Sequence, residues 1–233
     1  DEFKGMLKYY KKIAVYNNLT KKKFIDMDKT TSKKIILGGC PRMLDFISSK
    51  KEKKIVKNIL FLSFGSTNGI PPLKENRLLN WHLSYNKVIK ILNEFAKNKE
   101  LNIVIKRKNK FLYKTNLKIN NRIKVYEDGH ANAFVNNADI IITQNSGATI
   151  DSLVNGKIVM VPFFEKNNMK KFLYNFNKDI IYTSEEKMKK KIRSLIGKKI
   201  LFPLKKQNRK KTIEYYYGKP AKVVKRYVGF LNS

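Results

Sequence analysis

From residue 59 onward, short apolar runs alternate with stretches in which apolar residues return every three or four positions. Residues 59–64 are Ile-Leu-Phe-Leu-Ser-Phe, the pattern of a strand buried on both faces, and Gly65, Ser66, Thr67, Asn68 and Gly69 end it. Residues 81–97 carry Tyr85, Val88, Ile89, Leu92 and Phe95 on one helical face. Further strands are expected at 101–105, stopped by Lys106-Arg107-Lys108, and at 122–126, followed by Glu127-Asp128-Gly129-His130 and a short helix through Ala138. The stretch 138–163 holds the clearest unit. A β-branched run at 140–143 meets polar Gln144-Asn145, and Ser146-Gly147 opens a helix with Ile150, Leu153 and Val154 inward. Asn155-Gly156 stops that helix, and a second apolar run at 158–161 ends at Pro162. A last short strand is expected at 179–182, then a Lys-rich helix capped by Ser184 with Glu185 and Glu186 at its positive end.

The flanks are less regular. Residues 1–31 are basic and partly helical in pattern, with Phe3, Met6, Leu7 and Tyr10 on one face. A short strand is expected at 33–38, a turn at 38–42, and a short helix or linker at 45–58. Residues 201–233 read as two helices, near 212–217 and 221–231. Strands alternating with helices imply a Rossmann-like α/β fold, a parallel sheet with helices on both faces. The expected division is 1–45, the tail of an N-terminal domain with a hinge; 46–200, the sheet domain; and 201–233, basic aromatic helices.

Composition adds one large fact. The chain of 233 residues has 51 basic and 18 acidic side chains, a net charge of +33. Anionic partners such as nucleotide phosphates or acidic lipid follow from that charge. The surplus is almost all Lys, with Arg at only seven positions, so a bias in base composition accounts for it equally well. Sequence-specific nucleic-acid readers rely on Arg for bidentate base contacts, and none of their motifs is present. No apolar run approaches the roughly 18 residues that cross a bilayer. The single cysteine, Cys40, forms no internal disulfide, which fits a reducing cytosol, and a cytoplasmic place at the inner face of the cell membrane is the expectation.

In a parallel sheet, ligands sit outside the carboxyl ends of the strands, where helix starts present free N–H groups to anions. Three polar turns belong to that edge. Gly65 and Ser66 open the first, where glycine allows close backbone approach; an ordinary loop is the other reading. Lys106 and Lys108 share a face in the second, with Arg107 pointing away, and could neutralise a diphosphate or simply be solvated. Asn145, Ser146, Gly147, Ala148 and Thr149 form the third, suited to a phosphate, with Ser146 as a plain N-cap the bland alternative. His130, beside Asp128 and Gly129, is the candidate catalytic acid or base. His82, near a helix start, is read as structural or a rim contact. Asp26 and Asp28 look like a chelating pair in a basic connector and are read as a solvated turn. Two histidines and one cysteine make no zinc site, so no metal and no cofactor is expected.

Taken together, these segments resemble the C-terminal half of GT-B glycosyltransferases, nearest to surface-carbohydrate enzymes and the CDP-glycerol glycerophosphotransferase-like group. Gly39-Cys40-Pro41-Arg42 with Asp45 is similar to the family's Gly-x-Pro-Arg-x-Asp hinge, with one extra residue before Asp45. Residues 59–65 resemble its first donor-domain strand and loop, and 103–108 its Ile-x-Lys-x-Lys segment. Residues 138–162 resemble its Ala-Asp-strand-Gln-Asn-Ser block, with Asp151 at the usual Glu and Ile158 at the usual Pro. The likeness covers about residues 35–190.

The resemblance implies a donor domain for a nucleotide-activated sugar or polyol, passed to a carbohydrate or lipid-linked acceptor in surface polysaccharide synthesis (capsule or lipopolysaccharide). Ser146, Gly147, His130, Lys106 and Lys108 would meet the donor phosphates and Asp151 the ribose, with positive groups rather than a metal stabilising the leaving nucleotide. The acceptor domain would precede residue 1, and the chain alone would be inactive. Two alternatives stand beside this: a nucleotide-sugar epimerase of the same fold, and a non-catalytic basic module that docks on membrane or nucleic acid.

Overall fold

The computed structural model describes residues 9–41, 51–63, 81–107, 117–143, 147–164, 178–204, 209–219 and 222–232. In chain order the strands are β1 (Ile13–Val15), β2 (Ile35–Leu37), β3 (Glu52–Ile55), β4 (Asn58–Leu62), β5 (Asn102–Lys106), β6 (Lys124–Tyr126), β7 (Ile140–Thr143), β8 (Ile158–Pro162), β9 (Ile181–Tyr182) and β10 (Lys199–Phe202). The helices are α1 (Asn18–Met27), α2 (Trp81–Phe95), α3 (Ala131–Asn137), α4 (Gly147–Val154), α5 (Glu185–Leu195), α6 (Lys210–Tyr217) and α7 (Val223–Leu231). Two compact units result. One holds residues 1–49 and 205–233, the other residues 50–204.

The larger unit is a six-stranded parallel sheet in the order β6-β5-β4-β7-β8-β9. Counted from β4 this is 3-2-1-4-5-6, the order of the Rossmann sheet. Its inner strands are apolar on both faces. Ile59, Phe61, Ile103, Ile105, Ile140 and Ile142 face one way, under α2 and α5. Leu60, Leu62, Val104 and Ile141 face the other, under α3 with Val135 and Phe134. The period of two places alternate residues on opposite faces, so an unbroken apolar run is what a doubly covered strand requires.

Helix ends follow local chemistry. Ser184 accepts from the Lys187 N–H at 3.3 Å to cap α5, with Glu185 and Glu186 in its first turn. Past the end of α4, Gly156 has φ +65°, and a Cβ there would stand 2.3 Å from the Cβ of Pro203. Only glycine fits both demands. On the amino edge, Asp139 accepts from the backbone N–H groups of Lys57 (3.0 Å) and Asn58 (2.9 Å), pinning the start of β4 to that of β7. Burial pushes the neighbouring Lys157 ammonium below its ordinary range, opposed by the Asp139 carboxylate.

Three elements depart from the sequence expectation. The 45–58 segment, read as helix or linker, contains β3, paired antiparallel with β10, and β10 (Lys199–Phe202) runs into the stretch from 201 where only helices were expected. All four residues of β3 are exposed, so no apolar alternation marks it. β1 lies inside the stretch read as helical, and three residues are too few to show a period. The helical stripe that included Phe3, Met6 and Leu7 lies outside the described residues, apart from exposed Tyr10.

In the smaller unit, β1 and β2 are parallel, joined through α1, a βαβ unit of its own. Asn17 caps α1 by accepting from the Thr20 N–H at 2.8 Å, and its amide donates to the Tyr216 carbonyl at 2.6 Å. Asp28 caps a 3-10 turn, Lys29–Lys33, accepting from the Thr30 N–H at 2.9 Å and its hydroxyl at 2.7 Å, which agrees with reading this acid as part of a turn. The N–H of buried Cys40 donates to the Tyr217 carbonyl (2.9 Å), and the Tyr227 hydroxyl, its pKa raised by burial, donates to that of Gly39 (3.1 Å).

Candidate functional site

The strand order reverses between β4 and β7, and the crevice outside the carboxyl ends of these neighbours is the topological switch point. Register makes the edge explicit. Tyr126, Lys106, Leu62 and Thr143 stand side by side as its last row. With strands about 4.8 Å apart, that row spans roughly 14 Å. Ser63 continues β4 by one step, donating to the Lys106 carbonyl at 3.0 Å from its N–H. The turns expected to carry chemistry all leave from this row.

Lys106 is 7% exposed, and its ammonium donates to the carbonyls of Arg107 (2.5 Å) and Glu127 (2.6 Å), about 6.0 Å from the Phe134 ring centroid. Two of its three donors therefore hold the β5 and β6 turns together. Its charge is fixed at the edge by geometry that a flexible surface lysine lacks. Arg107 turns to the opposite face, as the alternation requires. It lies 3.5 Å from the Glu127 carboxylate and 3.4 Å from the Tyr85 hydroxyl. Sequence reading assigned Arg107 nothing, yet its cation lies at the same edge; a strand-end basic run was the available signal.

His130 is the N-cap residue of α3, with extended backbone and no capping bond from its side chain. Its ring is exposed and makes no hydrogen bond among the described residues, so it is open to a ligand. It follows β6, two strands from β4, and α3 then crosses back to pack on β4 and on α4.

α4 starts just past Thr143. Gly147, its first residue, is exposed at the helix start. Ala148 is half-buried against the Leu60–Leu62 side of the core. Thr149 is fully buried and Asp151, in the second turn, is 5% exposed. The fold thus brings Lys106, His130 and Gly147 to one edge, and sets Thr149 and Asp151 into the body of the helix. Gly65, Ser66, Lys108, Asn145 and Ser146 lie outside the described residues, as does the side chain of His82. Among the described residues, no group of three or more His, Cys, Asp and Glu could hold a metal ion. None of their helices is long and apolar enough to cross a membrane.

No family model and no curated protein matches the sequence. Solved structures do match in fold. A variant of the wall teichoic acid polymerase TagF aligns with TM-score 0.54 at 14% identity, over 99% of this chain and 59% of that one. The UDP-GlcNAc 2-epimerase of Neisseria meningitidis, bound to UDP-GlcNAc, aligns with TM-score 0.54 at 14% identity, over 97% and 62%. The corresponding enzyme of Methanocaldococcus jannaschii, with UDP-GlcNAc and UDP, gives 0.50 at 14%, over 95% and 61%. The chain spans about three fifths of the length of each of these neighbours. What they share with it is the GT-B, Rossmann-like architecture.

Proposed function

We propose that this chain is the donor-binding part of a GT-B glycosyltransferase or polyol-phosphate transferase, holding a nucleotide-activated sugar or polyol by its phosphates. The observation that carries the reading is the place of α4. Its first residue, Gly147, stands exposed past the carboxyl end of β7, beside the reversal in strand order, with the fixed cation of Lys106 two strands away in the same row. Backbone N–H groups at that start and the Lys106 charge are disposed to receive negative phosphate oxygens. His130 serves as a phosphate contact or as acid/base, and Asp151 stands in the same helix for the ribose side. The nucleotide and nucleotide-sugar bound to the two epimerases support a ligand of this class. Stabilising the departing nucleotide is then electrostatic work, done by groups already oriented before reaction. The acceptor is a carbohydrate or lipid-linked chain of a surface polysaccharide, with the whole enzyme working in the cytoplasm against the inner face of the membrane.

Calorimetric titration with CMP, CDP, UDP and GDP tests the reading. Micromolar binding that prefers one base is expected, abolished in Gly147→Glu, which puts a carboxylate where the phosphates would lie, and weakened about tenfold in His130→Ala. Equal binding of all four, lost at moderate salt, sinks the proposal in favour of a diffuse basic surface.

A further inference from the structure

The smaller unit carries a cleft that this reading leaves unused. About 980 Å³ in volume, it lies past the carboxyl ends of β1 and β2 and is lined further by residues of α1 and α6 and by Arg226 of α7. Five cations line it, Lys22 from α1, Lys210 and Lys211 from α6, Lys219, and Arg226 from α7, against one carboxylate, Glu214. Glu214 lies 3.9 Å from Lys210, and Arg226 donates to the Lys219 carbonyl at 3.3 Å. Lys22, Lys211 and Lys219 are exposed and form no ion pair among the described residues. Cations from separate elements converge here, which a uniform excess of lysine along one helix face does not produce.

The walls are braced. Asn17 bonds the Tyr216 carbonyl, Tyr16 meets Tyr217 edge-on at 6.4 Å, and Tyr215 meets Tyr216 edge-on at 4.9 Å. Gly218, at φ +74°, also lines the cleft, where a Cβ would stand 2.0 Å from the Tyr16 carbonyl oxygen. Like charges held around a preformed hollow repel one another until an anion fills it, and Tyr16 and Tyr215 also line the cleft, side chains of a kind that suits the carbon skeleton of a sugar or polyol.

We infer that this cleft is a second anion site, taking a phosphate ester carried on a sugar or polyol and separate from the nucleotide site. Several lysines around one hollow can meet several phosphate oxygens at once, each acting as a point charge.

Titration of the chain with inorganic tripolyphosphate, in the presence of saturating CDP or UDP, tests the inference. Tripolyphosphate is expected to bind still, and the triple variant Lys22→Gln, Lys211→Gln, Lys219→Gln to weaken that binding at least about tenfold. A control triple with the same loss of charge, Lys187→Gln, Lys190→Gln, Lys191→Gln on α5, should change it less than about twofold. Both triples replace exposed side chains, and circular dichroism confirms the fold before titration. Equal weakening in the two triples, or none in the first, overturns the site. Nucleotide titrations on the first triple should match the parent chain, so failure here and failure of the donor reading are distinguishable. Sedimentation with phosphatidylcholine vesicles containing phosphatidylglycerol then separates the sources. Capture lost in the first triple assigns the site to a lipid-borne phosphodiester, and the absence of capture assigns it to a soluble or glycan-borne phosphate ester.

Discussion

Two βαβ units in this chain have the same topology and opposite economies of burial. In β7-α4-β8 every strand residue is buried and six of the eight helix residues are as well. In β1-α1-β2 the strands have three residues each and α1 buries none of its ten. The first is held by a sheet that continues on both sides, so its polar turn sits on a rigid edge. The second is held by its contacts with α6, above all the bonds from Asn17 to Tyr216 and from Cys40 to Tyr217. A ligand edge can therefore be supported from within a sheet or propped from outside it, and the two should fail differently.

The largest expected difference is in core truncation. Ile141→Ala removes a fully buried side chain from the central sheet and should cost about 3–4 kcal/mol in chemical denaturation. Leu19→Ala, at a site 36% exposed on α1, should cost less than about 1 kcal/mol. Similar losses at both sites would mean that the units are held alike.

Backbone approach should reverse the ranking. Gly218→Ala brings a methyl group against the Tyr16 carbonyl and forces a positive φ, so the smaller unit should lose about 2 kcal/mol or more. Hydrogen exchange would read this as faster exchange at Cys40 and Thr20 with the amides of β4 and β7 unchanged. Uniform acceleration across both units would break the comparison.

The smallest effect is electrostatic. Glu94, on α2, lies 2.9 Å from Lys189 and 2.5 Å from Arg193, both on α5, and these cations hold its carboxyl below the ordinary range. A depressed folded pKa means stability that is present above the unfolded value and lost as pH falls through the folded one. Glu94→Gln should therefore destabilise slightly at neutral pH, by about 0.5 kcal/mol for so exposed a group, and make no difference in acid. Glu214→Gln, which breaks a 3.9 Å pair within α6, should cost less than that at neutral pH. A loss from Glu94→Gln that persists unchanged in acid would contradict the assignment.

Much of the larger unit was legible. Residues 59–62, 102–105, 140–143 and 158–161 announce themselves as β-branched or apolar runs, and Tyr85 to Phe95 as a helical stripe, because each must be apolar on every face it buries. The stop at Gly156 and the cap at Ser184 were equally visible, being set by the chemistry of one or two residues. β3 was not, since Glu52, Lys53 and Lys54 carry no sign of pairing and are a strand only because β10 lies beside them. Lys106 was visible as a cation but not as one whose donors grip two carbonyls, one of them 21 residues away. Arg107 was set aside as pointing away, and it does, into a contact with Glu127 that only the β5–β6 pairing creates.

The sequence by itself determined which segments form the strands of the six-stranded sheet and the helices that cover it, and that β4 to β7 end in polar turns. Periodicity and capping are local, written within ten or so residues. Tertiary structure alone decided the order 3-2-1-4-5-6, and with it which turns flank the reversal, because strands with two equivalent apolar faces can pair in many orders. It alone gathered Lys22 with Lys211 and Lys219 around one hollow. Nearly two hundred residues separate Lys22 from the other two, and charge carries no periodicity that names its partner.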